Sequence, residues 1–303
     1  MSNSKLDIST AIAAVKSAYY GRDVRQAFVD ALNAVEAAVN NIDLSQVITA
    51  HAISHNSIFR GADLSAKYSL SKLCEMVGNG DFSDIFVGDY FSISGVISVP
   101  KENTASDGAT SIVTTSVEYS TNLRVAGINT YLATGATLFD KPHIVMIPDD
   151  ILFKTPMNLT ASTSGGYKSS FFHTDIVPAL KTHFSEKFGS HLLARHVSIS
   201  NAVQSGASAG FEWLDEYLTL PTEIELFGCS IWSSSPYDIG SGNRQLPLFR
   251  LAPEYITKQR QHYWLSAVAS AKEFCYVDAD GECGRIAADS TSNIGIRPIL
   301  TIG

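Results

Sequence analysis

No run of about 18 apolar residues occurs in the chain, so nothing in the sequence offers a membrane-spanning helix. No block of Lys or Arg stands out either, which excludes a reader of duplex nucleic acid, since such a reader needs a basic footprint for phosphates. Charge is scarce overall: 17% of residues are Asp, Glu, Lys or Arg, and 30 acids against 22 bases leave a net charge of −8. Cysteine is sparse too. Cys74, Cys229, Cys275 and Cys283 are scattered without the close pairing of a metal site, and reduced, buried thiols are their expected state. Internal repeats and low-complexity linkers are missing. The residues from Met1 to Lys5 lead into no apolar signal core, so the expectation is synthesis in the cytoplasm without a secretion signal. What remains is a 45% hydrophobic composition rich in Ser, Thr, Ala and Gly, with ample material for a core.

The first fifty residues differ in character from the rest. Val24, Phe28, Ala31, Val35, Ala38 and Ile42 recur at alternating spacings of four and three, the seam of a helix that packs against copies of itself. Arg22, Arg25, Gln26, Asp30, Asn33 and Glu36 flank it and suit a solvated face. Barely three heptads make such a coil marginal alone, so the competing reading is a single amphipathic helix docked on its own domain. The fold class expected is α+β: a helical, coiled-coil-like oligomerisation segment over 1–50, then one mixed domain over 51–303.

Within that domain Ser71 is the expected cap of a helix through Val77. Asp84 to Val99 reads as two strands around a turn at Ser94-Gly95. His143 to Asp149 is a continuous apolar run, hence a buried strand. Thr174 or Asp175 caps a helix to Phe188, and Leu192 to Ile199 is strand-like. Cys275 and Cys283 flank a hairpin turn across which they can face each other.

Catalytic and metal patterns are thin. His51 and His55 share a helical spacing without a third ligand, and His191 and His196 point to opposite faces of an extended segment. Gly206-Ala207-Ser208-Ala209-Gly210 matches Gly-x-Ser-x-Gly, with Asp215 or Asp238 and then His262 downstream. The alternating βα pattern of a hydrolase is missing around it, and a surface turn is the better reading. Asp278, Asp280 and Glu282 supply half of a calcium loop. The expectation is therefore no catalytic residue, no metal, no cofactor and no enzyme. Exposed aromatic and short polar groups near the end remain as a binding surface: Tyr263, Ser266, Ser270, Lys272, Phe274, Tyr276 and Asp278. Lys272, Phe274, Tyr276 and Asp278 share one face of an alternating strand, with about half of the aromatics expected in the core. The polar loop Ser233 to Asn243, with Tyr237 in it and Trp232 just before it, forms a second candidate wall.

Three segments resemble known families. Tyr263-Trp264-Leu265-Ser266, Phe274-Cys275-Tyr276-Val277 and Gly295-Ile296-Arg297-Pro298 together resemble the closing segment of C-type-lectin-like domains related to the formylglycine-generating-enzyme fold, including many in phage and bacterial surface proteins. The resemblance implies that the chain returns at its end to complete the core sheet. It also implies that the segment before the return faces outward as a binding surface, and that Gln245 to Phe249 is a buried strand. Its catalytic relatives use a close cysteine pair, but their signature is not recognisable around Cys275 and Cys283, and a shared fold does not carry function. Ala18 to Leu32 resembles the N-terminal attachment segment of baseplate and tail appendage proteins in phages of Gram-positive hosts, and His55 to Leu64 resembles the opening of phage proteins with this ending. The resemblances imply a receptor-binding (host adhesion) protein at a phage tail tip or baseplate. It would reside in the virion, bind a bacterial surface glycan or protein as a homotrimer, and meet other tail proteins through its first segment. A purely structural baseplate subunit is the main alternative.

Overall fold

The structure, a computed structural model, describes residues 8–17, 21–40, 54–104, 110–200, 203–204, 207–208, 210–233, 239–257, 260–290 and 294–303. The chain divides into two compact units, Met1–Thr49 and Ala50–Gly303. In the first, α1 (Ser9–Ser17) packs along α2 (Arg22–Asn40). On α2, Val29 is buried, whereas Val24, Phe28 and Val35 are 48%, 58% and 54% exposed and Ala31 is exposed beside them. The predicted seam is thus a bare apolar stripe. Ala38 lies in α2, and Ile42 falls outside the described residues.

The second unit is mixed α/β. Its elements are α3 (Leu70–Gly78), β1 (Tyr90–Thr104), β2 (Thr110–Ile128), β3 (Ile144–Pro148), α4 (Val177–Phe188), β4 (Arg195–Ser200), β5 (Val203–Gln204), β6 (Ala207–Ser208), β7 (Phe211–Glu216), β8 (Leu218–Thr219), α5 (Glu223–Phe227), α6 (Pro247–Leu251), β9 (Tyr263–Val268), β10 (Glu273–Val277), β11 (Cys283–Ala287) and β12 (Ile299–Ile302). A curled antiparallel sheet runs in the order β1-β2-β3-β12-β8, so the last strand sits in its interior. A three-stranded sheet β11-β10-β9 and a ribbon β4-β7 complete the framework.

In the large sheet β3 and β12, and in the smaller one β9, are buried on both faces. Val125, Met146 and Leu300 of the five-stranded sheet join Leu73, Val77, Leu180 and Phe184 in one core cluster; Val145, Ile147 and Ile299 join Leu226, Leu248 and Phe249 in a second. This explains why His143 to Asp149 reads as an unbroken apolar run. Several local expectations shift for identifiable reasons. Ser69, not Ser71, caps α3, accepting from the Lys72 amide at 3.2 Å. The helix ending at Phe188 starts earlier, in a π-turn over Phe172–Ile176, because the Ser170 hydroxyl accepts from the His173 amide at 3.1 Å. No turn forms at Ser94-Gly95, since β1 runs straight through. A Cβ on Gly95 would come within 3.0 Å of His183 and 3.2 Å of Tyr119, so the glycine admits the side of α4 rather than bending the chain. Gln245 to Phe249 is not a strand: Pro247, preorganised for a first helical turn, opens α6.

A buried ion pair fixes the middle of the large sheet. Arg124 donates from Nε to Asp149 Oδ1 at 2.7 Å, from a second nitrogen to the other carboxylate oxygen, and from the third to the Gly88 carbonyl. Its guanidinium lies over the rings of Tyr255 and Tyr90, 4.3 and 5.0 Å from their centroids. Asp149→Ala leaves that charge buried without its acid and is expected to cost about 3–5 kcal/mol in urea unfolding. The double change Arg124→Met with Asp149→Leu should cost clearly less.

His143 is equally enclosed. Its Nε2 accepts from the Tyr131 amide at 3.1 Å, while its Nδ1 lies 2.8 Å from the Lys141 carbonyl and donates to it. Burial pushes its pKa down to about 4. The unfolded chain therefore takes up a proton near pH 6.5 that the folded one refuses until about pH 4, so stability present above pH 6.5 is lost as pH falls through that window. The expected loss is about 3 kcal/mol. Comparing urea midpoints at pH 7 and 4.5 checks it, and His143→Gln should narrow the gap.

Candidate functional site

The terminal hairpin has little free surface because it is sandwiched. In β9, Trp264 and Val268 point into the first core cluster and Tyr263, Leu265 and Ala267 into the second; in β10, Phe274 belongs to the first and Cys275 and Val277 to the second. Of the residues expected to form an outward surface, Tyr263, Ser266 and Phe274 are therefore core. Tyr263 donates to the Ile256 carbonyl at 2.8 Å, and the Ser266 amide donates to the Pro221 carbonyl at 2.9 Å. Ser270 is half-buried and donates to Glu273 at 2.9 Å, and Lys272 is exposed. Asp278 closes the hairpin turn, its Oδ1 accepting from the amides of Asp280 and Glu282, both at 2.9 Å. Those bonds account for the acidic spacing as turn chemistry.

Tyr276 and Trp232 do reach the surface, but on opposite sides. Directly paired residues of a ladder share a face. Tyr276 pairs with Gly284, and its ring packs against that glycine and stacks with His262 at 5.9 Å. Cys275 pairs with Arg285 and Val277 with Cys283 on the other face, and there Trp232 lies, 47% exposed, donating from its indole nitrogen to the Cys283 carbonyl at 2.7 Å under the Arg285 guanidinium. The two expected walls do not meet. Tyr237 lies outside the described residues.

Beneath Trp232 is a polar centre that the sequence did not announce. Thr222 opens α5 with a capping box, accepting from the Glu225 amide at 3.1 Å and donating its own amide back at 2.9 Å. This points Glu223, with no exposed surface, at the loop above. Its Oε1 accepts from the Trp232 amide at 2.8 Å and from the thiols of Cys275 and Cys283 at 3.4 and 3.2 Å. Its Oε2 accepts from the Ser233 amide at 3.1 Å and from the Ser233 hydroxyl. Burial alone would raise this carboxyl; the Ser233, Trp232 and Cys283 donors outweigh it and hold the pKa below its ordinary value. The neighbouring Cys283 thiol, burial and the Glu223 charge raise Cys275 far above the usual thiol range, so it is an inert donor. Both cysteines are free thiols, set diagonally across the hairpin rather than face to face.

The other sequence candidates disperse. His55 is buried, with Nδ1 2.7 Å from the Ile85 carbonyl and its ring on Phe86; His51 lies outside the described residues. His173 meets Glu216 at 2.6 Å, and His183 meets the Tyr119 hydroxyl at 2.8 Å. Ser208 sits in β6, followed by the strand β7 in place of the helix that a nucleophile elbow needs. Among the described residues no group of three or more His, Cys, Asp or Glu is placed to hold a metal ion.

A ligand-sized groove opens elsewhere. The hairpin β1–β2 keeps register from Tyr90–Arg124 out to Thr104–Thr110, and its outer part runs beyond the body of the unit, leaving Thr110 to Thr114 exposed. Between its inner face and the segment 151–156 lies a cavity of about 680 Å³. Val99, Val117, Leu152, Phe153 and Phe171 give it apolar walls, and Lys101, Glu102, Thr115 and Lys154 line its polar parts. Volume and lining match a small-molecule or chain-segment site. No family model, curated protein or solved structure matches this chain.

Thiol labelling checks this arrangement. With iodoacetamide at pH 8, exposed Cys229 should react first and half-buried Cys283 more slowly. Cys275, and Cys74, whose thiol burial pushes up to about 11, should react only on unfolding; mass spectrometry of the digested protein reads the order.

Proposed function

We propose that this chain is a receptor-binding protein of a phage tail tip or baseplate, assembled as an oligomer through α2 and recognising a bacterial surface ligand with its second unit. The observation that carries the reading is the bare stripe of Val24, Phe28, Ala31 and Val35 on α2, since an apolar seam at heptad spacing has a second copy as its natural cover. Burying side chains of this size is worth about 1.5–3 kcal/mol each, enough in several copies to make a short coil stable. Ala at two of the six seam positions, Ala31 and Ala38, lets helices approach closely, and a homotrimer is the assembly proposed.

The resemblances of residues 18–32, 55–64 and 263–298 supply the phage context. A C-type-lectin-like second unit agrees with the return of the chain as β12 into the interior of a curled sheet and with the separate sheet β9 to β11. The groove under the β1–β2 arm is the proposed receptor site. Weak contacts at such a site gain strength when three copies bind one surface, because later contacts become intramolecular. No helix among the described residues is long and apolar enough to cross a membrane.

Two experiments test the reading. Sedimentation equilibrium should give a trimer for the full chain and a monomer for Phe28→Asp with an unchanged melting temperature; a monomeric parent protein overturns the assembly. Labelled full-length protein should bind Gram-positive cells strain-selectively. Thr115→Trp, which fills the groove, should lower binding at least about tenfold while the protein remains a trimer. Pull-down of tail components without cell binding would favour a structural subunit.

A further inference from the structure

The ribbon β4–β7 separates its two faces sharply. On its inner face Val197, Ile199 and Glu216 are buried, Leu214 packs on the first core cluster, Glu212 pairs with Lys168 at 3.2 Å and Glu216 with His173 at 2.6 Å. These anchors hold the strands rigidly from beneath. The outer row of β7 is Phe211, Trp213 and Asp215, all exposed, the two aromatics at 41% and 38%. Opposite them on β4, Ser198 pairs with Trp213 and His196 with Asp215. The His196 ring sits 5.2 Å from that of Trp213, and its Nδ1 accepts from the Thr137 amide at 3.2 Å, which leaves Nε2 to carry the proton in the neutral ring.

We propose that this outer face is a carbohydrate platform for an extended neutral pyranose glycan. Residues two apart on a strand are separated by about 6.8 Å, so Phe211 and Trp213 offer two aromatic surfaces in line, within the span of adjacent linked sugar rings. The C–H face of a pyranose stacks on an aromatic ring, and its rim of hydroxyls needs both donors and acceptors. Ser198, the His196 Nε2–H and the Asp215 carboxylate provide both, in the row beside the rings and at its end. A dry protein interface would instead deplete charge at its centre. An anionic glycan would meet Asp215 without a cation in the row. Because the inner face fixes the ribbon, little ordering is lost on binding. The platform rests on the reading of the second unit as a binding domain, and it is distinct from the groove and independent of helix association.

The test uses the full-length protein on an array of neutral and acidic glycans, with array ligands then titrated calorimetrically. Binding to at least one neutral glycan is expected, weakened at least about tenfold in Trp213→Ala and in Phe211→Ala. Trp213→Phe should retain most of the affinity, and Ile58→Ser, at an exposed apolar position outside the ribbon, should bind as the parent does. Equal melting temperatures separate a lost contact from a lost fold. Binding to no neutral glycan, binding to acidic glycans alone, or undiminished binding by both alanine variants overturns the platform. Running the same variants in the cell-binding assay separates the two readings. Cells bound equally by Trp213→Ala leave the receptor-binding reading standing without the platform, whereas loss of all cell and glycan binding by the parent protein removes both.

Discussion

A single guanidinium holds together the parts of the second unit that are far apart in sequence. Arg297 is buried, and its hydrogen-bond partners are carbonyls: Pro148 at 2.9 Å at the end of β3, Ile256 at 2.9 Å and Tyr255 at 3.2 Å. Its face lies 4.7 Å from the centre of the Tyr263 ring in β9. Tyr255 in turn covers Arg124, which the Asp149 carboxylate holds one residue beyond Pro148. Two cations thus flank one tyrosine, and together they fix the end of β3, the segment around residue 255 and the entrance to the terminal sheet. A buried guanidinium tolerates no loose fit, because each unpaired N–H costs the full desolvation of a charged donor. The clamp sits where β9, buried on both faces, enters the core.

That burial limits the surface the terminal sheet can offer. A sheet with core on both sides leaves only its rim for ligands, and Tyr276 and Trp232 both lie against β11 at that rim, on opposite faces. Free surface lies instead where strands extend beyond the double-faced core, along the β1–β2 arm and on the outer face of the β4–β7 ribbon. In the ribbon the inner side is anchored by packing and ion pairs and the outer side is open, so rigidity and accessibility come from the same strands, whereas along the arm the opening is the groove under its inner face.

The sequence reveals some of this better than the rest. The stripe on α2 was legible because helical periodicity survives without tertiary partners, and β3 because five consecutive apolar residues in an extended segment need cover on both sides. Tyr263 and Phe274 read as surface candidates because alternation assumes one wet face, an assumption that fails when both are covered. Glu223 carried no signal of its own: three of its donors, Trp232, Cys275 and Cys283, lie between nine and sixty residues away. The groove is assembled from residues near 100, 116, 153 and 171, and no local pattern records a concavity built from such distant pieces.

The place of β12 has a consequence for how the molecule comes into being. Ile299–Ile302 lie between β3 and β8, so the large sheet is incomplete until those residues have been synthesised and have crossed to strands made about 80 and 150 residues earlier. Before then Met146 and Leu218 have an empty lane between them and unpaired edges facing it. Such edges invite other chains. Nascent copies on one message carry the same gap, and the speed with which the final strand closes it governs the yield of native protein against cross-paired aggregate.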